Sequence, residues 1–259
     1  MIDALYIGAT GMQAQQLNVD VVANNLANVN TSGFKKSRVT FQDAYYQVLN
    51  PSANLTEGGA SAVMLGMGAM VSSNSKSFTQ GELKATESPL DFAIQGNGFF
   101  EVLMPDGTSA YTRFGALKVN ENGVLSTAKG YELKEQIEVP SDVIEVVVDA
   151  KGKVSGRLAD KSTLIELGQI ELTSFASLEG LLPMGDNLYQ ASDASGEKTT
   201  GIPTENGLGS VAQGYLEASN VKLAEEMVNL VLAQRAYELN AKVIQASDDM
   251  LSISNNLRR

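Results

Sequence analysis

The chain has 259 residues, 43 % of them hydrophobic, enough for a sizeable core in one large domain or in two or three smaller pieces. It contains no His and no Cys. That excludes a Ser-His-Asp triad, a Cys-His pair, a His-based zinc motif, disulfides and thiolate metal ligation, and leaves chemistry to carboxylates, Lys, Ser, Tyr or a borrowed cofactor. With 19 basic and 30 acidic residues the net charge is −11, which disfavours nucleic-acid phosphates and anionic membrane surfaces as partners.

The charge is unevenly spread. Residues 41–218 hold 23 acids and 11 bases, whereas residues 1–40 are close to neutral and residues 219–259 hold five of each. Nearly neutral ends suit close packing against copies of themselves, because like-charge repulsion is small. The first basic residue is Lys35, so the start lacks the positive region of a secretory signal, and no apolar run approaches a membrane span. Composition alone predicts a cytoplasmic chain.

In chain order, the first element reads as a helix. Leu5, Ala9, Met12, Gln16, Val19, Ala23 and Leu26 recur in alternating steps of four and three, and Val22 widens the stripe. Gly8 and Gly11 weaken it by about 1 kcal/mol each relative to Ala. Asn-Thr-Ser-Gly at 30–33 predicts an end near 28–30, with Gly33 at positive φ. Residues 50–80 are rich in Ser, Gly, Ala and Asn and read as an extended, adaptable segment.

The middle reads as β. Leu90, Phe92 and Ile94 alternate, Gly96-Asn97-Gly98 interrupts, and Phe99, Phe100 and Val102 resume. Residues 105–108 and Asn122-Gly123 are turn signals. Val143–Val148 and 164–172 read as strands, and 191–209 as a loop. The last helix is stronger: Leu223, Met227, Leu230, Gln234, Tyr237, Ala241, Ile244, Asp248 and Leu251 keep the four-three rhythm, and Val231 and its neighbours broaden it. Ser219 or Asn220 is the expected N-cap, with Glu225 and Glu226 at the positive end of the dipole. From 221 to 256 such a helix runs about 54 Å. The reading is thus α+β, with long terminal helices pairing as a coiled-coil-like stalk and a β-rich middle domain inserted between them. The expected divisions are 1–34, 35–85 (an extended linking segment), 86–210 (the β-rich outer domain) and 211–259. An ordinary core face would explain either apolar stripe, but no third helix covers a stripe of this length, so another chain must.

Catalytic patterns are sparse. Gly96-Asn97-Gly98 lacks the third glycine of a dinucleotide fingerprint, since residue 101 is Glu. Ser73-x-x-Lys76 has no accompanying Ser-Asp-Asn or Lys-Thr-Gly. Glu132 with Glu135, or Glu138 with Asp142, forms a glycosidase-like pair that an acidic surface produces by chance. No calcium-loop pattern is present, so no metal, cofactor or small-molecule substrate is expected.

The run from Ala23 through Asn24, Asn25, Leu26, Asn28, Gly33 and Phe34 to Lys35 resembles the N-terminal signature of the bacterial flagellar axial family of rod and hook proteins. Ser219-Asn220-Val221, Glu225-Glu226-Met227-Val228, Gln234-Arg235-Ala236-Tyr237-Glu238 and Ala246-Ser247-Asp248 are similar to its C-terminal signature, and Gly96–Phe100 and Tyr111-Thr112-Arg113 to its middle. The length fits rod members that carry a β insert, and Gln213–Asn220 is most similar to the distal ones, proximal ones being the alternative. The resemblance implies a non-enzymatic subunit exported unfolded through the flagellar type III export apparatus without a cleaved signal. It implies a helical homo-polymer meeting proximal rod proteins, hook protein and the surrounding P- and L-rings. It also assigns assembly to Leu5, Met12, Val19, Val22 and Leu26, and to Leu223, Met227, Leu230, Val231, Tyr237, Ile244 and Leu251, with Asn24, Asn25, Asn28, Gly33 and Phe34 forming a signature turn. Phe41 and Tyr45 match a hydrophobic export-gate motif, a packed aromatic pair being the other reading. A secreted adhesin and a carboxylate-dependent glycan-acting enzyme are the alternatives outside the family.

Overall fold

The computed structural model describes residues 2–48, 64–158 and 164–256. The fold is α+β: an N-terminal helix, a β-rich middle and a C-terminal helix. Two compact units divide it. One comprises Met1–Ala27, Ser37–Lys76 and Lys222–Arg259, the other Asn28–Lys36 and Ser77–Val221.

In the first unit, helix α1 spans Ile2–Ala27 and helix α2 spans Leu223–Asn256. They run antiparallel, and the two glycines that weaken α1 are what let them approach. A Cβ on Gly8 would lie 2.8 Å from Cγ1 of Ile244, and one on Gly11 2.8 Å from Nδ2 of Asn240. Helix α2 begins two residues later than the sequence suggests. Ser219 accepts the Val221 N–H at 3.3 Å in a turn ahead of the helix, and Asn220 spends its side chain elsewhere, so neither caps it. Glu225 and Glu226 do occupy its first turn.

Strand Ser37–Asp43 pairs antiparallel with Ala69–Lys76, with a bulge between Thr40 and Phe41. Tyr46–Val48 pairs with Met64–Gly66. At Gly68, φ is 101° and a Cβ would fall 2.3 Å from Oγ1 of Thr10, so the hairpin backbone lies directly on α1. The segment 50–80, read as extended and adaptable, therefore contains a regular strand at its end; residues 50–63 of it lie outside the described residues.

The second unit is built on a seven-stranded antiparallel sheet, in the order Leu182–Gly185, Leu188–Gln190, Ser109–Thr112, Phe100–Leu103, Glu132–Leu133, Leu125–Thr127, Leu117–Val119. A three-stranded sheet follows, Val143–Val148, Lys153–Leu158 and Leu164–Gln169. Its core gathers Phe92, Ile94, Phe100, Val102, Leu125, Leu133, Ile170 and Leu172. An aromatic cluster, Phe78, Phe99, Tyr111, Phe175 and Tyr189, packs edge-to-face. Two sequence expectations change here. Residues 164–172 split into Leu164–Gln169 and the start of Leu172–Phe175, and 191–209 is not all loop, because Lys198–Gly201 pairs with Leu172–Phe175. Polar Lys-Thr-Thr-Gly gives no apolar alternation to read, and its partner strand supplies the order.

One buried carboxylate sits uneasily in this unit. Oε2 of Glu135 is enclosed and has no hydrogen-bond partner among the described residues. Burial, with the carboxylates of Glu171 and Glu101 adding to it against backbone N–H groups of Glu135 and Glu171, pushes its carboxyl up to about 7. A raised carboxyl binds its proton more tightly in the folded state. The stabilisation is therefore complete below the ordinary value near 4.5 and fades as pH rises through about 7. Ionisation costs about 3 kcal/mol by pH 8. Glu135→Gln should unfold at a higher denaturant concentration than the parent at pH 8 and at nearly the same concentration at pH 5, as read by urea titrations at the two pH values.

Candidate functional site

The signature turn follows α1. Its first link is Asn25, 1 % exposed, whose Oδ1 accepts the Ser37 N–H at 2.8 Å and whose Nδ2 donates to the Ser37 carbonyl at 2.9 Å. The same Nδ2 donates to Oε2 of the buried Glu226 at 3.3 Å. The side chain thus mimics a strand partner for Ser37 while binding the first turn of α2. The turn continues with the Thr31 N–H donating to the Asn28 carbonyl and the Phe34 N–H to that of Thr31. Gly33 has the expected positive φ, 70°, and a Cβ there would meet the backbone of Phe114 at 3.0 Å.

Beyond it lies a buried ionic cluster. Lys35 is fully buried, and its Nζ donates to Oε1 of Glu217 at 2.5 Å and to the Thr79 carbonyl at 2.7 Å. Glu217 also accepts the Gly81 N–H at 2.8 Å and Arg113 Nη1 at 3.3 Å, and its own carbonyl accepts the Gly33 N–H at 2.7 Å. Arg113 donates to the Gly96 carbonyl at 2.7 Å and stacks over the Phe99 ring. Burial pulls the Lys35 ammonium below its ordinary range, and Glu217 opposes that pull. Asn220 completes the knot: its Oδ1 accepts the Lys36 N–H, and its Nδ2 donates to the carbonyls of Ser77 and Thr79. Residues 33–36, 77–81, 113 and 215–220 are bound into one polar junction.

The helices present a different kind of surface. In α1 the buried positions are Gly8, Ala14, Val21, Val22 and Asn25, and in α2 they are Glu226, Ala233 and Ser247. Apart from the two valines, these are small or polar. Relative to the four-three stripe, the buried positions of α2 lie one residue earlier, about 100° round the helix, as do Gly8, Val22 and Asn25 in α1, while Ala14 and Val21 lie two residues ahead of Gln16 and Ala23. The stripe therefore stays partly or wholly uncovered. Leu5, Met12, Val19 and Leu26 are half-buried, as are Leu230, Ile244 and Leu251. Leu223, Met227, Val231 and Tyr237 are exposed. Ten large apolar side chains of α2 are exposed among the described residues, with Leu232 and Leu239 at 62 %. Two grooves accompany this surface. One of about 400 Å³ lies between Gln16, Val19, Gln234 and Tyr237; one of about 590 Å³ lies between α1 and the hairpin, lined by Tyr6, Leu17, Tyr45 and Met70. Phe41 and Tyr45 are both exposed, so they do not form a packed pair.

Arg113 and Glu217 lie inside runs the sequence singles out but carry no individual expectation, and Asn220, expected as an N-cap, instead binds Lys36, Ser77 and Thr79. Their signal was a charge or amide isolated among turn and strand residues. Of the first carboxylate pair, Oε1 of Glu132 accepts from Asn120 and Oε2 of Glu135 is enclosed without a partner among the described residues.

Helices that bury small and polar faces and leave large apolar side chains exposed present the kind of surface that marks a protein–protein contact. The family described as "Flagella basal body rod protein" matches residues 5–35, "Flagellar hook protein FlgE/F/G D1 domain" residues 93–156, and "Flagellar basal body rod FlgEFG protein C-terminal" residues 212–257. The flagellar basal-body rod protein FlgG of Borreliella burgdorferi is 44 % identical over 100 % of both chains. FlgG of Caulobacter vibrioides is 40 % identical over 99 % of this chain and 100 % of its own, and FlgG of Bacillus subtilis 38 % over 100 % of both.

The chain belongs to the flagellar basal-body rod protein family. It is a structural subunit of the flagellum and not an enzyme. Its place is the periplasm-spanning rod, which corrects the cytoplasmic expectation from composition. No described helix is long and apolar enough to cross a membrane.

The ionic cluster gives a direct test. Glu217→Gln leaves Lys35 and Arg113 buried without their counter-charge, and breaking such a pair costs about 3–5 kcal/mol. Equilibrium unfolding of the variant should show a loss of that order, and Asn220→Ala a smaller one of about 1–3 kcal/mol.

Proposed function

We propose that the chain is a distal rod subunit, a drive-shaft component whose terminal helices pair as a coiled-coil-like stalk and pack against copies of themselves in a helical tube. The observation that carries this reading is the offset between the two faces of the helices. The intramolecular contact uses Gly8, Gly11, Ala233 and Ser247, and the large apolar stripe is left over. Each Leu, Val or Met buried on assembly contributes about 1.5–3 kcal/mol. The assembly residues are Leu5, Met12, Val19 and Leu26 in α1, and Leu223, Met227, Leu230, Val231, Tyr237, Ile244 and Leu251 in α2; Val22, expected among them, is already buried within the chain. Heterologous contacts that do not close give a tube rather than a ring.

On this reading the N-terminal helix and signature turn (1–34) and the return segment with α2 (211–259) form the inner wall. The β-rich part (86–210) faces the P- and L-rings, the segment 35–85 links them, and residues 50–80 stiffen the shaft through contacts between subunits. Proximal rod proteins and hook protein meet its two ends. Phe41 and Tyr45 serve the export apparatus, which their exposure supports. The full-length similarity to FlgG proteins supports the rod assignment over the adhesin and enzyme alternatives.

Val231 is the decisive position, since it is exposed in the single chain and its replacement costs the monomer little. Val231→Asp should leave the thermal melt of the purified protein unchanged. Electron microscopy of basal bodies from a strain carrying it should show short rods without hooks. Full-length rods bearing hooks would refute the assembly surface.

A further inference from the structure

The chain holds three Asn-Gly dipeptides, at 97–98, 122–123 and 206–207. By sequence they are equal candidates for spontaneous deamidation, a known weakness of Asn in proteins. The structure separates them by the burial and the hydrogen bonding of each glycine.

In Asn97-Gly98 the glycine is buried against Leu172, its Cβ position lying 3.2 Å from Cβ of that residue. The Asn97 carbonyl accepts the Gly209 N–H at 2.7 Å. In Asn122-Gly123 both residues belong to a turn opened by Asn120. Gly123 takes the last position and donates its N–H to the Asn120 carbonyl at 3.0 Å, and the Asn122 N–H donates to Asn120 Oδ1. In Asn206-Gly207 the dipeptide fills both central positions of the turn Glu205–Leu208, closed by the Leu208 N–H donating to the Glu205 carbonyl at 2.9 Å. Both central residues have positive φ, 52° and 77°, as in a type I′ turn. Both are exposed, a Cβ on Gly207 would touch nothing within 4 Å, and no acceptor for the Gly207 N–H is found among the described residues.

We infer that Asn206 is the site of spontaneous deamidation in the folded protein, with Asn122 protected by the turn bond that engages the Gly123 N–H and Asn97, itself exposed, by the burial of Gly98. The Gly207 amide nitrogen gives its proton to solvent and forms a bond to Cγ of Asn206. The Cγ–Nδ2 bond breaks and ammonia leaves, giving a five-membered succinimide. Water then opens one of its two carbonyls, leaving Asp or isoaspartate at 206. The product adds one negative charge to an already acidic unit. The isoaspartyl form also lengthens the main chain inside the turn that seats Leu208, a buried core residue, and Gly209.

The test is incubation of the full-length native protein at mildly alkaline pH and 37 °C, with peptide mass spectrometry over time and isoaspartyl methyltransferase labelling to identify the product. Conversion at Asn206 should run several-fold ahead of Asn122 and further ahead of Asn97, and the ranking should collapse when the same chain is held unfolded in urea. Conversion at Asn122 or Asn97 equal to or faster than Asn206 in the native protein would overturn the assignment. So would a ranking that urea leaves unchanged, because local sequence rather than the fold would then be in control.

Discussion

Glu217 is the residue on which the rest of the β-rich unit depends. Its carboxylate neutralises two buried cations, accepts a backbone N–H from Gly81, and its carbonyl holds Gly33. A buried ionic group is expensive, and an apolar replacement of equal volume is often as stable. What the ions add is direction. Leu or Val at these positions would hold the same segments together with no fixed register. Lys35, with donors to both Glu217 and the Thr79 carbonyl, admits one arrangement of residues 33–36, 77–81 and 215–220. Asn25 and Asn220 act in the same way with amides, Asn25 binding both backbone groups of Ser37 at the start of its strand and Asn220 binding those of Lys36, Ser77 and Thr79.

The helical unit follows the opposite logic. Its intramolecular contact is made by residues with little surface to bury, and its apolar residues are withheld. A helix pair so built buries little apolar surface within its own chain. The glycines of α1 serve both ends: they lower intrinsic helicity and permit the close approach to α2 at Ile244 and Asn240.

The two units also respond differently to their surroundings. The β-rich one carries most of the buried charge, at Lys35, Arg113, Glu101, Glu217 and the raised carboxyl of Glu135, so it is the pH-sensitive part. Glu101 is held below the ordinary carboxyl range: burial raises it, but hydrogen bonds from Lys134, Ser109 and Lys198 outweigh that. Two carboxylates of one unit are thus shifted in opposite directions by the presence or absence of lysine partners.

The sequence by itself determined the class of fold, the two long helices, the turn at Gly33, most hairpins and the family. These rest on periodicity, turn chemistry and ordered runs of residues that are local in the chain. Only the tertiary structure decided which helix face turns inward. The four-three stripe marks the large apolar residues, and the face actually buried lies one or two residues away, where Gly8, Gly11, Ala233 and Ser247 permit the close approach. The strand at Lys198–Gly201 and the delayed start of α2 were likewise illegible, the first because its partner Leu172–Phe175 supplies its order, the second because Asn220 is drawn off to Lys36, Ser77 and Thr79. Lys35, Arg113 and Glu217 lie 182 residues apart at their extremes, and no local pattern reports that three isolated charges share one buried site.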